Sequence, residues 1–546
     1  MTRQADASSG SDLAEPAGPS DRPTRRRLRF RLLVWLPFAV AAVLLGQLVW
    51  QATRPPASAA GGPIVLLSID SLRADRLPAY GYAGTRTPAI DSLVSDGVLF
   101  ERAYAHVPLT LPSHVTILSG LLPFEHGVRD DAGFTVGSGV HLLQERLGHL
   151  GLETGGIVST FLLRPETGIA RGFEWYEGRI PPPSPGGPLP PRRDGSASLA
   201  LARGWLAARE SPRFFLFLQI DEPRAPHVVP AGFRNFAPYD AQVAAADEVV
   251  AGLLATLRER GWYDRAVIVL LSDHGEGLGD HGEEEHGLFL YGATVRVPLV
   301  VKLPGGAARG RRVKTPVHHI DVAPTILDLA GAPRPEAMRG RSLNPILESP
   351  RGLVPDQATY AETWYPRYRF GWSELASITD EEYRFVKAPR SELYELRNDA
   401  ADRQDVIANH ALTSAAMRDV VDRTLAGVPS AAPGPFGADE LRLLGRFTLP
   451  EGPAPVAGDV PGETLPDPKD KAGLAERLRR AGAAAARGDH EAAVAACRTI
   501  VSEDPDMLEA WVLLARELTA ANRPREAASA LANARRIARG RSASRR

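Results

Sequence analysis

The stretch Ile64-Val65-Leu66-Leu67-Ser68-Ile69-Asp70 is an almost continuous apolar run that ends in a carboxylate. A run without alternation predicts a strand buried on both faces, as in parallel sheets covered by helices. Similar runs recur at Gly156–Ser159, Phe214–Ile220, Ala266–Leu271 and Leu299–Val301. Helical patterns lie between them, for example over Leu142–Leu150 and Ala241–Arg260. Alternating strands and helices predict an α/β domain with a mainly parallel sheet sandwiched by helices.

Polar side chains follow two of these strands directly. Asp70 ends the first run, and Asp273 and His274 follow the run that ends at Leu271. In open α/β sheets the ligand crevice lies beyond the carboxyl ends of the strands, so we expect the three side chains to converge there. Two buried carboxylates beside an imidazole repel one another unless a cation lies between them. The pattern therefore predicts a site for one divalent metal ion, without distinguishing Ca, Mn, Zn or Mg.

A third segment, Thr110-Leu111-Pro112-Ser113-His114, precedes a helical run that ends near Gly120. Pro112 suits the first turn of a helix, which places Thr110 at or just before the helix N-terminus. Backbone N–H groups there favour an anion, and a nearby metal would lower the pKa of the Thr110 hydroxyl. The segment predicts a nucleophilic alkoxide facing a tetrahedral oxyanion. Taken alone, an Asp after a strand or a Thr before a Pro is equally typical of a helix cap.

Several short motifs in a fixed order give a more specific interpretation. From about Pro63 to Gly445 the chain resembles the sulfatase family of the alkaline phosphatase superfamily. The motifs that carry the resemblance are Ile69–Asp75, Thr87–Asp91, Leu111–His114, Glu125–Arg129, Ser272–Glu276, His286-Gly287, Arg296–Leu299, His319–Thr325 and Gly340–Leu343.

The resemblance implies a role for individual residues. Asp70, Asp273 and His274 would bind the metal, with Thr110 acting both as ligand and as nucleophile. His286 would contact the substrate anion or protonate the leaving oxygen, although it could equally be a solvated residue beside Glu283-Glu284-Glu285. His114 and Arg129 would line the anion pocket. The second metal site of the superfamily, built from one Asp and two His, is not evident, which favours single-metal chemistry.

The chain also departs from the family pattern at three positions. Sulfatases need a cysteine or serine where this chain has Thr110, because that residue is oxidised to formylglycine. Threonine suits phosphoryl transfer better, so we expect phosphate-type esters rather than sulfate esters. Arg224 replaces the usual histidine after the third strand and remains a good oxyanion donor. Asp131 replaces an asparagine that donates to the oxyanion, so an ionised Asp131 would cost about 10²–10³ in rate.

The N-terminal part of the sequence has the pattern of a membrane anchor. Residues 1–30 predict a disordered cytoplasmic tail, and residues 31–53 a transmembrane anchor in which Leu32–Trp50 is nearly all apolar. The arginines just before it predict a cytoplasmic N-terminus. We therefore expect a single-pass protein of the inner membrane, with its catalytic domain facing the periplasm or cell exterior. A cleaved signal peptide is the alternative, with Ala57-Ser58-Ala59 as its cleavage site.

Composition divides the rest of the chain into four segments. We expect a sulfatase-like core over residues 62–365, a C-terminal subdomain of that core over 366–447, a Pro- and Gly-rich linker over 448–471, and helical repeats over 472–540. Within the last segment Glu491-Ala492-Ala493 recurs as Glu526-Ala527-Ala528, 35 positions later. That interval resembles the roughly 34-residue tetratricopeptide period. Two repeats are few, so we expect them to pack on the core or to be capped by Ala472–Arg487; a simple helical hairpin is the alternative.

Composition and charge exclude other classes of protein. The 546 residues include 64 Lys and Arg against 65 Asp and Glu, so no overall charge favours nucleic acid and we expect no such partner. The lone Cys497 excludes an intramolecular disulfide and a cysteine-based zinc site. The leading hypothesis is thus an anchored hydrolase or transferase of anionic esters. Its rival is a non-catalytic scaffold that binds metal or an anionic glycan and recruits proteins through its repeats.

Overall fold

The structure, a computed structural model, describes residues 61–181, 190–354, 357–429, 433 and 465–543. The expected cytoplasmic tail and the expected anchor over residues 31–53 lie outside these ranges, as does most of the expected linker over 448–471. Among the helices that are described, none combines the length and the hydropathy needed to cross a bilayer.

A mixed sheet forms the centre of the molecule, and in the described part of the chain it has nine strands. They are β1 (Ile64–Ile69), β2 (Val98–Tyr104), β3 (Glu153–Ile157), β4 (Trp175–Glu177), β5 (Phe214–Ile220), β6 (Val267–Leu271), β7 (Arg296–Lys302), β8 (Arg311–Val313) and β9 (Val317–His318). The order is β4-β3-β5-β1-β6-β7-β2-β8, with β9 beside β2. β7 runs antiparallel to β6 and β2, and the other pairs are parallel, which confirms the expected mainly parallel sheet.

Helices cover both faces of this sheet. They are α1 (Pro88–Asp96), α2 (Thr110–Ser119), α3 (Pro123–His126), α4 (Leu143–His149), α5 (Gly195–Ala207), α6 (Pro238–Glu259), α7 (Gly292–Val295), α8 (Val322–Leu329) and α9 (Asn344–Glu348). Ile64 and Leu66 of β1 enter an apolar cluster with α2, α4 and α8. Val65 and Leu67 enter a second cluster with α1, α5 and α6 on the opposite face. This two-sided burial is why β1 is apolar at consecutive positions.

A smaller antiparallel sheet follows, in the order β10-β11-β12-β13. Its strands are β10 (Thr359–Thr363), β11 (Leu375–Thr379), β12 (Tyr383–Lys387) and β13 (Glu392–Glu395), and it carries α10 (Tyr365–Phe370) and α11 (Ala411–Leu425). The expected boundary between residues 365 and 366 falls between β10 and β11, which pair with each other in this sheet.

Four helices form the C-terminal segment, α12 (Ala472–Ala486), α13 (His490–Glu503), α14 (Leu508–Ala520) and α15 (Pro524–Ala543). Gly488 and Asn522 adopt positive φ angles of 81° and 57°, which end α12 and α14 and let the chain reverse. Leu478 and Leu513 share one apolar cluster with Phe289 and Trp372 of the preceding domain. The repeats thus pack on the core, as the sequence analysis expected.

Candidate active site

The residues expected to bind the metal lie at the same edge of the sheet. β1 and β6 are parallel neighbours with Ser68 paired to Leu271, so Asp70 and Asp273 emerge side by side beyond these strands. Thr110 is the first residue of α2, whose N-terminus faces the same crevice. We refer to Asp70, Thr110, Asp273 and His274 as the Thr110 cluster. All four residues are fully buried, with no exposed surface.

The structure brings the functional atoms of the Thr110 cluster together. The Thr110 Oγ1 lies 3.3 Å from Asp70 Oδ2 and 3.3 Å from His274 Nε2. His274 Nε2 lies 3.5 Å from Asp273 Oδ2. One ligand atom from each of Asp70, Asp273 and His274 lies within 4.8 Å of the others. These separations match a set of groups around one common centre.

The bonding of these atoms fits a divalent cation at that centre. Asp273 Oδ2 is buried and has no hydrogen-bond partner. The Nδ1 of His274 is bonded to the Gly275 carbonyl at 2.9 Å, which fixes the tautomer and leaves an Nε2 lone pair directed at the cluster. Burial and the neighbouring Asp70 raise the pKa of Asp273 well above its usual range. Without a cation the folded site therefore favours a protonated Asp273 beside Asp70 over two carboxylates.

Two residues orient Asp70, and the sequence analysis had not selected either. Ser71 Oγ donates to Asp70 Oδ1 at 2.8 Å, and Gln219 Nε2 donates to Asp70 Oδ2 at 3.4 Å. Gln219 is a polar residue inside the apolar strand β5 and is completely buried. A lone amide in a strand buried on both faces needs a hydrogen-bond partner, so the position of Gln219 within the apolar run could have identified it from the sequence as a candidate site residue.

Arg224 reaches the Thr110 cluster from the loop after β5. Its Nη1 donates to Thr110 Oγ1 at 3.1 Å and lies 3.5 Å from Asp70 Oδ2. Burial alone would raise the pKa of Asp70, but the charge of Arg224, together with His274, His286 and the hydrogen bond from Ser71, outweighs burial and lowers that pKa. The residue that replaces the family histidine therefore stands where an oxyanion donor is needed.

The same loop adds a third carboxyl group at this edge of the sheet. Asp221 follows β5 and is 2% exposed, and its Oδ1 is buried without a hydrogen-bond partner. Burial and the Asp70 charge raise the pKa of Asp221 well above its usual range. Strands β5, β1 and β6 are adjacent, so three carboxyl groups follow three neighbouring strands.

His286 lies beside the cluster and is held by a residue with no predicted role. Its ring centroid is 4.2 Å from that of His274, and its Nδ1 lies 2.9 Å from Glu276 Oε1. Burial raises the pKa of Glu276 to about 7. Burial and the neighbouring His274 lower the pKa of His286 well below its usual range. The solvated alternative for His286 is wrong, because its side chain is only 6% exposed.

His114 and Arg129, the residues expected to line the anion pocket, are both bonded within the protein. His114 Nδ1 bonds the Thr110 carbonyl at 2.7 Å and lies 3.6 Å from Asp273 Oδ2, and its Nε2 bonds Ser68 Oγ at 2.9 Å. Arg129 donates through Nε and Nη2 to Glu362, each at 2.6 Å. His114 therefore supports the start of α2, the Arg129 charge is neutralised by Glu362, and a role of either residue toward the substrate stays a prediction.

Asp131 contacts the backbone next to Thr110. Its Oδ1 accepts a hydrogen bond from the Leu111 N–H at 2.7 Å. Burial raises the pKa of Asp131 to about 6, and the Arg224 charge opposes this rise. Of the alternatives for this residue, the geometry favours a carboxyl that is protonated in weakly acidic solution and can then donate a hydrogen bond.

Comparison with known proteins matches three segments to family models. Residues 63–332 match the model described as sulfatase, and residues 279–425 match N-sulphoglucosamine sulphohydrolase, C-terminal. Residues 484–545 match the tetratricopeptide repeat, which confirms the repeat interpretation.

Individual relatives are distant in sequence. The chain is 22% identical over 412 residues to the delta 4,5-hexuronate-2-O-sulfatase of Bacteroides thetaiotaomicron, a match that covers 63% of this chain and 84% of the relative. It is 33% identical over 165 residues to the multifunctional alkaline phosphatase superfamily protein PehA of Trinickia caryophylli, covering 28% of this chain and 31% of the relative. The structure of the phosphonate monoester hydrolase of Agrobacterium radiobacter aligns with a TM-score of 0.58 and 20% identity, over 73% of this chain and 100% of that one. This last likeness concerns the fold.

Proposed function

We propose that this chain, of which residues 63–332 match the sulfatase family model, hydrolyses phosphate-type esters through a covalent intermediate on Thr110. The observation that carries the proposal is the position of Thr110 Oγ1, which lies within 3.3 Å of both Asp70 and His274 and 3.1 Å from Arg224. A hydroxyl at a helix N-terminus, between metal-binding groups and a fixed guanidinium, is placed to attack an anionic ester. Threonine cannot become formylglycine, which favours phosphorus over sulfur as the atom attacked.

The residues of the Thr110 cluster supply the first part of the chemistry. Asp70, Asp273 and His274 would hold one divalent cation, which when bound lowers the pKa of the Thr110 hydroxyl and offsets the charge of the ester. Thr110 Oγ1 forms the new bond to phosphorus, and its proton moves toward Asp70 Oδ2, which accepts from it at 3.3 Å. The Arg224 guanidinium, already beside Oγ1, donates to the non-bridging oxygens as charge moves onto them.

His286 and Glu276 supply the proton for the leaving group. The bond between phosphorus and the leaving alcohol oxygen breaks while His286 Nε2 donates a proton to that oxygen. The Nδ1 of His286 then takes a proton from Glu276, 2.9 Å away, whose pKa of about 7 keeps a protonated fraction at neutral pH. Water subsequently attacks phosphorus and gives a proton to His286 Nε2, and His286 Nδ1 returns its proton to Glu276. The bond from phosphorus to Thr110 Oγ1 breaks, the proton held by Asp70 returns to Oγ1, and the phosphoryl product leaves.

The cellular setting belongs to the same proposal. We place the protein in the inner membrane through one N-terminal helix, with the ester site facing the periplasm or the cell exterior. The support is the apolar stretch Leu32–Trp50 behind a cluster of five arginines within residues 25–31. Protease added to intact spheroplasts should then digest residues 61–543 and spare a tag at the N-terminus, whereas digestion of neither end would contradict this orientation.

Turnover and adduct formation test the ester hydrolase proposal. The full chain in detergent is assayed with aryl phosphodiesters, phosphonate monoesters and sulfate esters, with Mn²⁺, Zn²⁺, Ca²⁺ or Mg²⁺ added. Thr110→Ala should abolish turnover and the mass shift of a trapped phosphoryl group on the peptide that contains Thr110. Thr116→Ala is the matched control, because Thr116 lies on the same helix but its hydroxyl bonds His126 at 3.0 Å.

Three outcomes would contradict the proposal. Full turnover in Thr110→Ala would refute the assignment of Thr110 as the nucleophile. Turnover of sulfate esters alone would refute the preference for phosphate-type esters. Stabilisation by metal without turnover of any ester would favour the scaffold, to which the C-terminal repeats would bring protein partners. Against that scaffold, Arg224 is directed at Thr110 in the structure and not away from it.

A further inference from the structure

His286 is carried by a loop, residues 276–288, that we call the His286 loop. Within it the chain folds back on itself, with N–H groups of Gly277 and Gly279 donating to the carbonyls of Glu285 and Glu283 at 2.6 and 2.9 Å. The Leu288 N–H donates to the Glu283 carboxylate at 2.6 Å. The loop is therefore a compact unit, and the position of His286 depends on what this unit packs against.

The C-terminal repeats form part of the packing surface. The last residue of the loop and the three that follow it, Leu288–Tyr291, belong to an apolar cluster that also contains Leu474 and Leu478 of α12 and Leu513 of α14. A cavity of about 60 Å³ between loop and repeats is lined by His286 on one side and by Arg479 of α12 on the other. A repeat residue and the site histidine thus border the same small space.

Charged contacts connect the two parts more specifically. Arg479 Nη1 lies 3.5 Å from the carboxylate of Glu285, the residue before His286. On α10, Arg369 Nε donates to Glu509 Oε2 at 2.8 Å, and Glu509 is only 5% exposed within α14. Arg369 also donates to the Tyr365 hydroxyl.

The Tyr365 ring completes this connection. Gly287 follows His286 and has a φ angle of 109°, and a Cβ added there would lie 3.3 Å from the ring. Hydrogen bonds therefore join Glu509, Arg369 and Tyr365, and the Tyr365 ring borders both Gly287 and the small cavity that His286 lines.

We propose that the repeats are a structural part of the catalytic unit, in which Glu509, Arg369 and Arg479 act as positioning residues for His286. The inference rests on the proposed function of His286 as proton donor to the leaving group. It differs from the view that the repeats only recruit partners, because a change at the repeats should alter proton donation without any partner present. The buried Glu509 carboxylate is the contact on which the geometry depends most, since its loss leaves the Arg369 charge with one partner fewer in a desolvated position.

The first test replaces Glu509 in the full chain. Glu509→Gln keeps the size of the side chain, and Glu526→Gln is the matched control, because Glu526 pairs with Arg498 and Arg523 inside the repeats. We expect Glu509→Gln to lower kcat about tenfold with phenyl or alkyl leaving groups and less than threefold with 4-nitrophenolate, which needs no proton. KM should stay close to that of the control, and the variant should remain folded at the assay temperature, although the loss of a buried counter-charge lowers its temperature of unfolding. A purely structural defect would lower both rates equally.

Hydrogen–deuterium exchange separates this inference from the proposed function, because it needs no substrate. Backbone exchange over residues 276–288 should rise in Glu509→Gln and not in Glu526→Gln, whatever reaction the site performs. Unchanged exchange in that peptide would overturn the inference even if the wild type is an active hydrolase. If the wild type cleaves no ester but exchange over residues 276–288 still increases in Glu509→Gln, the inferred coupling is supported and only the proposed reaction is refuted.

A charge reversal at the exposed contact gives a second variant that does not depend on a buried group. Arg479→Glu places a carboxylate against Glu285, and we expect it to increase exchange in the loop and to steepen the dependence on leaving group. Combining it with Glu285→Arg should restore both readouts to within twofold of wild type. Failure of the double variant to recover, with both single variants folded, would contradict the role of Arg479.

Discussion

Asp131→Asn is the substitution for which the structure gives the clearest quantitative expectation. Asp131 Oδ1 accepts the Leu111 N–H at 2.7 Å, so the other oxygen of the carboxyl can donate only when it is protonated. Asparagine keeps the acceptor toward Leu111 and presents an N–H₂ donor at every pH. The substitution therefore removes one titration and leaves the hydrogen-bonding pattern of the protonated acid.

The size of the effect follows from the pKa of Asp131, which burial raises to about 6. Because the folded-state pKa lies above the usual value of a carboxyl, the donor is present below pH 6 and is lost as the pH rises through it. At pH 7.5 only about 3% of the carboxyl is protonated, so the asparagine variant should be about 30-fold faster there. At pH 5 the two proteins should agree within about twofold.

The assay is kcat/KM for an aryl phosphodiester between pH 4.5 and 8.5, with the metal at a saturating concentration. The kcat/KM of wild type should fall about tenfold for each pH unit above about pH 6, and that of Asp131→Asn should not show this fall. Asp130→Asn is the matched control, since Asp130 bonds the Ala132 N–H and not Leu111; it should keep the loss of activity with rising pH, shifted to lower pH because the Asp130 charge contributes to the raised pKa of Asp131. If Asp131→Asn is slower than wild type at every pH, or if its kcat/KM still falls above about pH 6, Asp131 is not the donor.

Three further predictions concern stability and metal binding. Glu362→Gln leaves Arg129 buried without its counter-charge and should lower the free energy of unfolding in urea by about 3–5 kcal/mol. Glu382→Gln is the control, because its partner Arg397 is mostly exposed, and it should lower that free energy by less than about 1 kcal/mol. Equal losses in the two variants would contradict the reasoning. Gly275→Ala places a Cβ 1.9 Å from the Ala293 carbonyl oxygen, so the segment next to His274 must move and the Kd for Mn²⁺ in calorimetry should rise at least tenfold; an unchanged Kd would refute this. Saturating metal at 100 times its Kd should stabilise the wild type by about 2.7 kcal/mol relative to chelator-treated protein, and an identical Tm in both would exclude the site.

The central strands and the Thr110 cluster were predictable from the sequence for a physical reason. A strand buried on both faces must be apolar throughout, so β1 and β5 end where their apolar runs end, at Ile69 and Ile220. Parallel neighbours end at one edge, which brings Asp70 and Asp273 together whatever the intervening chain does.

Contacts between distant segments were not predictable in the same way. Arg129 and Glu362 are 233 positions apart, and the sequence contains no periodicity that connects them. Tertiary packing alone decides that this arginine is neutralised. The position of His114 was more accessible, because it follows Thr110 by four residues on one helix, and that spacing directs its ring back to the Thr110 carbonyl. Glu276 lay within a quoted motif, yet only the fold of the His286 loop shows that it holds His286.

The three carboxyl groups after β1, β5 and β6 have a consequence for the life of the protein in its cell. One ion bound at the proposed site would relieve their repulsion. A newly made chain without that ion would then have a smaller free energy of unfolding and would unfold more often. Opened chains are substrates for quality-control proteases. We therefore expect the steady-state amount of the protein, and not only its turnover number, to follow the supply of that ion, with pulse-chase half-lives that shorten on metal starvation.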